Sequence, residues 1–197
     1  MSRTFLCGAL FILSTLCARA AEIEGVRVED QVMAGGQTLV LNGAGVRHKL
    51  MFAKLYVGAL YLRAKTSSAE AVLKDTDAKR VSLFVLAEEV TARELIASIN
   101  NSLSVNLSQQ DLAQIEARLT QLNQMMLKVG ALKKGGVVTL TYVPATGTHI
   151  RVNSEELLVV KGEDFFNALL HIWIGDKPVD GRLKSSMLGG AGSFRMF

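Results

Sequence analysis

At 197 residues, with 49% apolar and 20% charged side chains, the chain has ordinary globular composition and enough length for one domain with a sizeable core. Its formal charge of +4 falls to +2 without Arg3 and Arg19, and no basic run interleaves with aromatics, which argues against a nucleic-acid partner. Both cysteines, Cys7 and Cys17, fall in the first twenty residues, so the rest of the chain offers no disulfide, thiol nucleophile or cysteine metal site.

Residues 1–20 read as a secretory signal peptide. Arg3 supplies the basic start, "FLCGALFILSTLC" the apolar core, and "ARA" before Ala21 the small-x-small cleavage pattern. The apolar core is short for a membrane span, and Leu16 ahead of Cys17 breaks a lipid-attachment box. The expectation is cleavage after Ala20 and an exported, periplasmic chain with no transmembrane segment once the signal is removed. A domain over 21–189 and a flexible tail over 190–197 complete the expected layout.

"IEGVRVEDQV" and "QTLVLNG" read as two strands around the Gly-Gly of "MAGG". The run from Arg47 to Leu62 has Gly58 at its middle and no polar stripe, which predicts a single strand apolar on both faces. "RAKTSSAEAVLKD" predicts a turn and a short helix capped by Ser67 or Ser68, and "KRVSLFVLA" a further strand. Thr91 and Glu94 make a capping box, with Leu95, Ile99 and Leu103 at helical spacing behind them. Ser108 caps a second helix whose Leu112, Ile115, Leu119, Leu122 and Met126 form one apolar stripe. "VGALKKGG" closes the helical pair, and "VVTLTYV", "THIRV" and "ELLVV" predict a small antiparallel meander. "EDFFNALLHIWIG" predicts another helix, followed by a turn at Pro178 and a terminal helix. Strands, helices, then strands and helices again is the order of an α+β domain.

Few residues in this pattern suggest chemistry. His48, His149 and His171 are far apart and lack the short spacing of metal ligands, so no metal and no cofactor are expected. There is no G-x-S-x-G elbow, "GGAGSF" lacks the strand, lysine and helix of a phosphate loop, and the adjacent Glu88 and Glu89 point apart. Arg47 stands out because a guanidinium stays ionised when partly buried, and its fork matches a carboxylate or phenolate. At the mouth of an apolar pocket it would hold the polar head of a hydrophobic ligand. Paired with an acid, or lying over a hairpin, it would be structural.

"GAGVR" followed by "FAKLYVGALYL" resembles the G-G-A-G-x-R and F-x-K-F-x-x-I-G-V-Y-L segments of chalcone isomerases. "FFNALLHIWIGDKPVDGRLKSSMLG" resembles the closing helices of the same fold, and "WIGDKPV" its exported bacterial chalcone isomerase-like branch. The resemblance implies an open-faced β-sandwich, an antiparallel sheet with helices packed on one face, and a cleft between them. It makes Arg47 the counterpart of an arginine that engages a substrate phenolate in the plant enzymes. Other plant catalytic positions differ: a threonine falls on Tyr56, a Thr or Ser falls on Ile172, and the helical Tyr–Asn pair has no equivalent near Asn100 and Asn101. Missing donors weaken stabilisation of a developing enolate, which is the usual dominant catalytic contribution.

The resemblance thus implies a non-catalytic branch, which includes fatty-acid-binding proteins that hold a carboxylate with this arginine and a tyrosine. The expected ligand is small and apolar or amphipathic, with an anionic head held by Arg47 and Tyr56. Phe52, Leu60, Phe165, Leu169 and Trp173 are the candidate walls. Two alternatives stand beside it: an isomerase or intramolecular lyase with Arg47 catalytic, and a structural or partner-binding protein with a vestigial cleft. Arg47 and Tyr56 would face opposite sides of an uninterrupted strand, so a bulge or turn near His48–Leu50 is required for both to reach one ligand. Oligomeric state is left open by the sequence.

Overall fold

The computed structural model describes residues 20–49 and 53–190. Residues 1–19 of the expected leader, residues 191–197 of the expected tail, and Phe52 lie outside the described residues.

Two tight turns shape the first strands. Glu24 and Gly25 both adopt positive φ (52° and 75°) between β1 (Ala20–Ile23) and β2 (Val26–Glu29). Gly35 and Gly36 do the same (55° and 76°) between β3 (Gln31–Ala34) and β4 (Gln37–Lys49). Paired positive φ at a two-residue loop matches the right-handed twist of the flanking strands. The first predicted strand is therefore divided: its Glu-Gly pair makes a hairpin, and Asp30 separates β2 from β3.

The run from Arg47 to Leu62 is also two strands. β4 ends at Lys49, and β5 (Ala53–Leu62) returns antiparallel beside it. Uniform hydrophobicity hid the reversal, because both strands are buried in the middle of the sheet. The sheet continues with β6 (Lys79–Val85), β9 (Val137–Val143), β10 (Gly147–Val152) and β11 (Glu155–Val160), in the order β11-β10-β9-β6-β5-β4-β3. All neighbours are antiparallel. The result is a curled antiparallel sheet with helices packed on one face.

Between β6 and its neighbour β9 the chain makes one long excursion. It contains β7 (Glu89–Thr91), α2 (Ala92–Asn106), α3 (Gln109–Val129) and β8 (Ala131–Lys133). β7 and β8 pair with each other, so the excursion leaves and re-enters through one two-stranded ribbon. The short helix α1 (Ala69–Lys74), capped by Ser68, precedes β6; α4 (Glu163–Ile174) and α5 (Gly181–Met187) follow β11.

α4 packs almost wholly inside, burying Phe165, Phe166, Leu169, Leu170 and Ile174 against Leu60, Val81 and Ile150 of the sheet. A second cluster on the opposite sheet face includes Leu39, Val57, Ala59 and Tyr61, packed with Val28 of β2. Lys79 has no exposed side-chain surface; its Nζ donates to the Val72 and Asp75 carbonyls and to Asn167 Oδ1. It closes the end of α1, whose last carbonyls need donors. Burial lowers its pKa.

The Thr91–Glu94 capping box is present, and Lys49 Nζ adds a 3.0 Å hydrogen bond to Glu94 Oε1. Lys49 and then Thr91 pull the Glu94 carboxyl from its ordinary 4.5 to about 2. A folded-state pKa below the unfolded one gives stability that is complete above pH 4.5 and lost as pH falls through about 2. Glu94→Gln should therefore flatten the acid limb of stability across that window, read by denaturant unfolding at stepped pH. A slope unchanged from wild type would contradict the assignment.

Candidate functional site

Two glycines of "GAGVR" explain where Arg47 ends up. Gly43, Gly45 and Arg47 alternate onto the helix-bearing face of β4, opposite Leu60, Gly58 and Tyr56 of β5. α5 lies directly on the glycines. A Cβ on Gly43 would overlap the Ser186 carbonyl oxygen and lie 2.9 Å from that of Met187. Asn42 secures the contact, its Nδ2 donating to the Met187 carbonyl at 2.7 Å and its Oδ1 accepting from Thr66 N–H. Asp180 caps the other end of α5 and accepts the His48 N–H at 3.0 Å. Arg47, two residues past Gly45, emerges beyond this platform and reaches α2.

The register shifts between Arg47 and His48, since Arg47 faces Tyr56 while His48 faces Lys54. Together, the hairpin and this bulge place Arg47 and Tyr56 side by side across two strands. The guanidinium carbon lies 5.5 Å from the Tyr56 ring centroid, and Nη1 makes a long 3.4 Å contact to Tyr56 Oη. Nη2 donates to Ser98 Oγ of α2 at 3.0 Å. Nε is buried without a partner, and no carboxylate among the described residues forms an ion pair with Arg47.

Tyr56 Oη also accepts from Trp173 Nε1 of α4 at 2.9 Å. Burial pushes the Tyr56 pKa up against the opposing pull of the Arg47 charge, so the phenol keeps its proton at neutral pH. With Trp173 and Arg47 on its lone pairs, the hydroxyl proton remains to be donated. The cluster thus offers donors: buried Nε–H, the guanidinium fork and the Tyr56 O–H.

Behind it is a hollow of about 90 Å³. Leu83, Val138, Leu140 and Ile150 form its sheet side, α2 and α3 its roof, and Leu169, Ile172 and Trp173 its α4 wall. Arg47, Tyr56 and Ser98 bring the polar atoms to this otherwise greasy lining. Among the expected walls, Leu169 and Trp173 line the hollow. Leu60 and Phe165 lie in the packed core instead, where each is fully buried.

Sequence reasoning missed Ser98 and the α3 contribution of Leu122, Met125, Met126 and Val129. The signal for Ser98 was its position three residues after Leu95, on the apolar side of a helix. Among the described residues there is no cluster of three or more His, Cys, Asp or Glu side chains placed to hold a metal, and no helix is long and apolar enough to cross a membrane.

A family model described as chalcone isomerase-like matches residues 20–189. A crystal structure of a fatty-acid binding protein from Arabidopsis thaliana superposes with a TM-score of 0.67 at 13% identity, covering 83% of this chain and 92% of that one. At that identity the likeness shows the fold. No curated protein matches the sequence.

Proposed function

We propose that this chain, which belongs to the chalcone isomerase-like family, is a binding protein for a small amphipathic carboxylate. The observation behind this reading is Arg47: a half-buried guanidinium with an unmet Nε–H and, among the described residues, no acid within ion-pair distance, at the head of an apolar hollow. A buried cation without a counter-charge is costly, and an incoming oxyanion removes that cost. Tyr56 and Ser98 complete the head group's surroundings, while the tail lies between sheet and roof. Met125 and Met126 supply the adaptable part of the wall, because unbranched thioethers repack readily.

Ile172 supports binding over turnover. It lines the hollow with a hydrocarbon side chain where the plant enzyme pattern has a hydroxyl donor. The fatty-acid binding protein of the same fold supports a lipid-like tail. The first twenty residues support a periplasmic place of action, which cell fractionation would test by finding the processed chain in the periplasm rather than the cytoplasm.

The function is tested with the chain beginning at Ala21, by displacing a fluorescent fatty acid with dodecanoate. Saturable one-to-one displacement supports the reading. Absence of saturable binding, with conversion of a chalcone, would replace it with the isomerase reading.

A further inference from the structure

Trp173 does more in this geometry than form a wall. An indole N–H is a donor only, so its 2.9 Å bond to Tyr56 Oη occupies one of that oxygen's lone pairs. Arg47 Nη1 approaches the same oxygen, also as a donor. Tyr56 otherwise could serve a ligand as acceptor or donor. Held this way, it can only give its proton.

We infer that Trp173 is a positioning residue that fixes Tyr56 as an obligate hydrogen-bond donor, making the head-group site selective for an oxyanion over the matching alcohol. This rests on the carboxylate-binding reading above and goes beyond it by identifying a contribution to its selectivity beside that of the Arg47 charge. An alcohol head must donate its own proton as well as accept. Around it would stand the guanidinium fork, the buried Nε–H and the Tyr56 O–H, with both hydrogen bonds at Tyr56 Oη arriving from donors and only the remaining lone pair of Ser98 Oγ left to accept. A carboxylate, with acceptors alone, satisfies them all. The chain of bonds joins three elements: α4 through Trp173, the sheet through Tyr56 and Arg47, and α2 through Ser98.

The experiment compares dodecanoate with dodecanol, which share a tail, as competitors of a fluorescent fatty acid. Wild type is expected to prefer dodecanoate at least about tenfold. In Trp173→Phe, Tyr56 regains an accepting lone pair. The preference, read as the ratio of the two affinities, should then fall about threefold, with the Arg47 charge keeping the remainder. Because Trp173→Phe also removes ring volume, a second variant replaces Trp173 with 3-benzothienylalanine, which keeps the bicyclic shape and lacks the N–H. It should show the same reduced preference. In a Tyr56→Phe background, Trp173→Phe should change the preference no further.

Equal weakening of both amphiphiles in both variants would make Trp173 a wall alone and overturn the inference, as would an unchanged preference. Dodecanoate binding with either result leaves the carboxylate reading intact. Failure of wild type to bind either amphiphile removes that reading, and this inference with it.

Discussion

Gly43→Ala is expected to cost about 3 kcal/mol of folding stability, as overpacking against backbone does when neither side can move away. The added methyl group would meet three main-chain atoms of α5 and its C-terminal end: the Ser186 and Met187 carbonyl oxygens and, at 3.0 Å, the Gly189 nitrogen. Main-chain atoms in a helix end cannot rotate aside like a side chain. The helix must lift, which would strain the buried Asn42 bond to the Met187 carbonyl and withdraw Leu183 and Met187 from the core. A domain with 5–15 kcal/mol of total stability loses a large share of it in this way.

Gly181→Ala is the control. It lies at the first position of the same helix, nothing surrounds its Cβ, and its φ is not in the left-handed region. Alanine there should be neutral or stabilising by up to about 1 kcal/mol. Urea denaturation midpoints at constant slope read both changes. Equal stability for the two variants would refute the docking of α5 on bare backbone.

Arg47→Met is expected to separate binding from stability. Hydrogen bonds to charged groups contribute about 1.5–3 kcal/mol, so losing the guanidinium should weaken dodecanoate binding by roughly ten- to a hundredfold. Dodecanol, which presents no charge, should be affected only a few-fold. The empty protein should unfold at the same temperature as wild type or a higher one. Removing a half-buried cation with an unmet Nε–H and no paired acid takes away a desolvation cost, while the methionine stem keeps most of the packing. Sites kept for a ligand are often locally unfavourable without it. Titration with both amphiphiles, alongside thermal unfolding of the empty variant, checks each part. A large drop in unfolding temperature with unchanged dodecanoate affinity would assign Arg47 to the scaffold.

Elements with local signatures were readable from sequence. Thr91, Ser108 and Ser68 are capping residues whose side chains meet amides three residues on, so their helices begin where the spacing predicts. The meander β9–β10–β11 announced itself through its turn residues. The opposed parity of Arg47 and Tyr56 called for a break near His48–Leu50, and the register shift there meets it; that the chain fully reverses after Lys49 was hidden, because two central strands of similar hydrophobicity read as one. The glycines of "GAGVR" carry part of the family resemblance, but their physical use depends on α5, some 140 residues later, approaching closely. The site followed the same division. Arg47 was conspicuous because it is charged within an apolar run. Ser98 was not, since a small hydroxyl on a helix resembles many solvent-facing ones. Leu60 and Phe165 share the alternation and helical spacing of true lining residues, and only the depth of packing distinguishes them.

The excursion between β6 and β9 has a mechanical consequence. Its two ends cross side by side: Lys134 N–H bonds to the Glu88 carbonyl, and Gly135 N–H and the Gly136 carbonyl both bond to Val85. α2 and α3 therefore share one two-stranded ribbon as their backbone connection to the sheet, and polar side chains tie them elsewhere: Ser98 to Arg47, Glu94 to Lys49, Asn106 to Lys177 and Arg118 to Asp164. Raising the pair would break those side-chain bonds and open the hollow without breaking a rung of the seven-stranded ladder. Admitting a longer tail by such an opening would cost the Ser98 bond to Arg47, while the strands that carry Arg47 and Tyr56 stay paired.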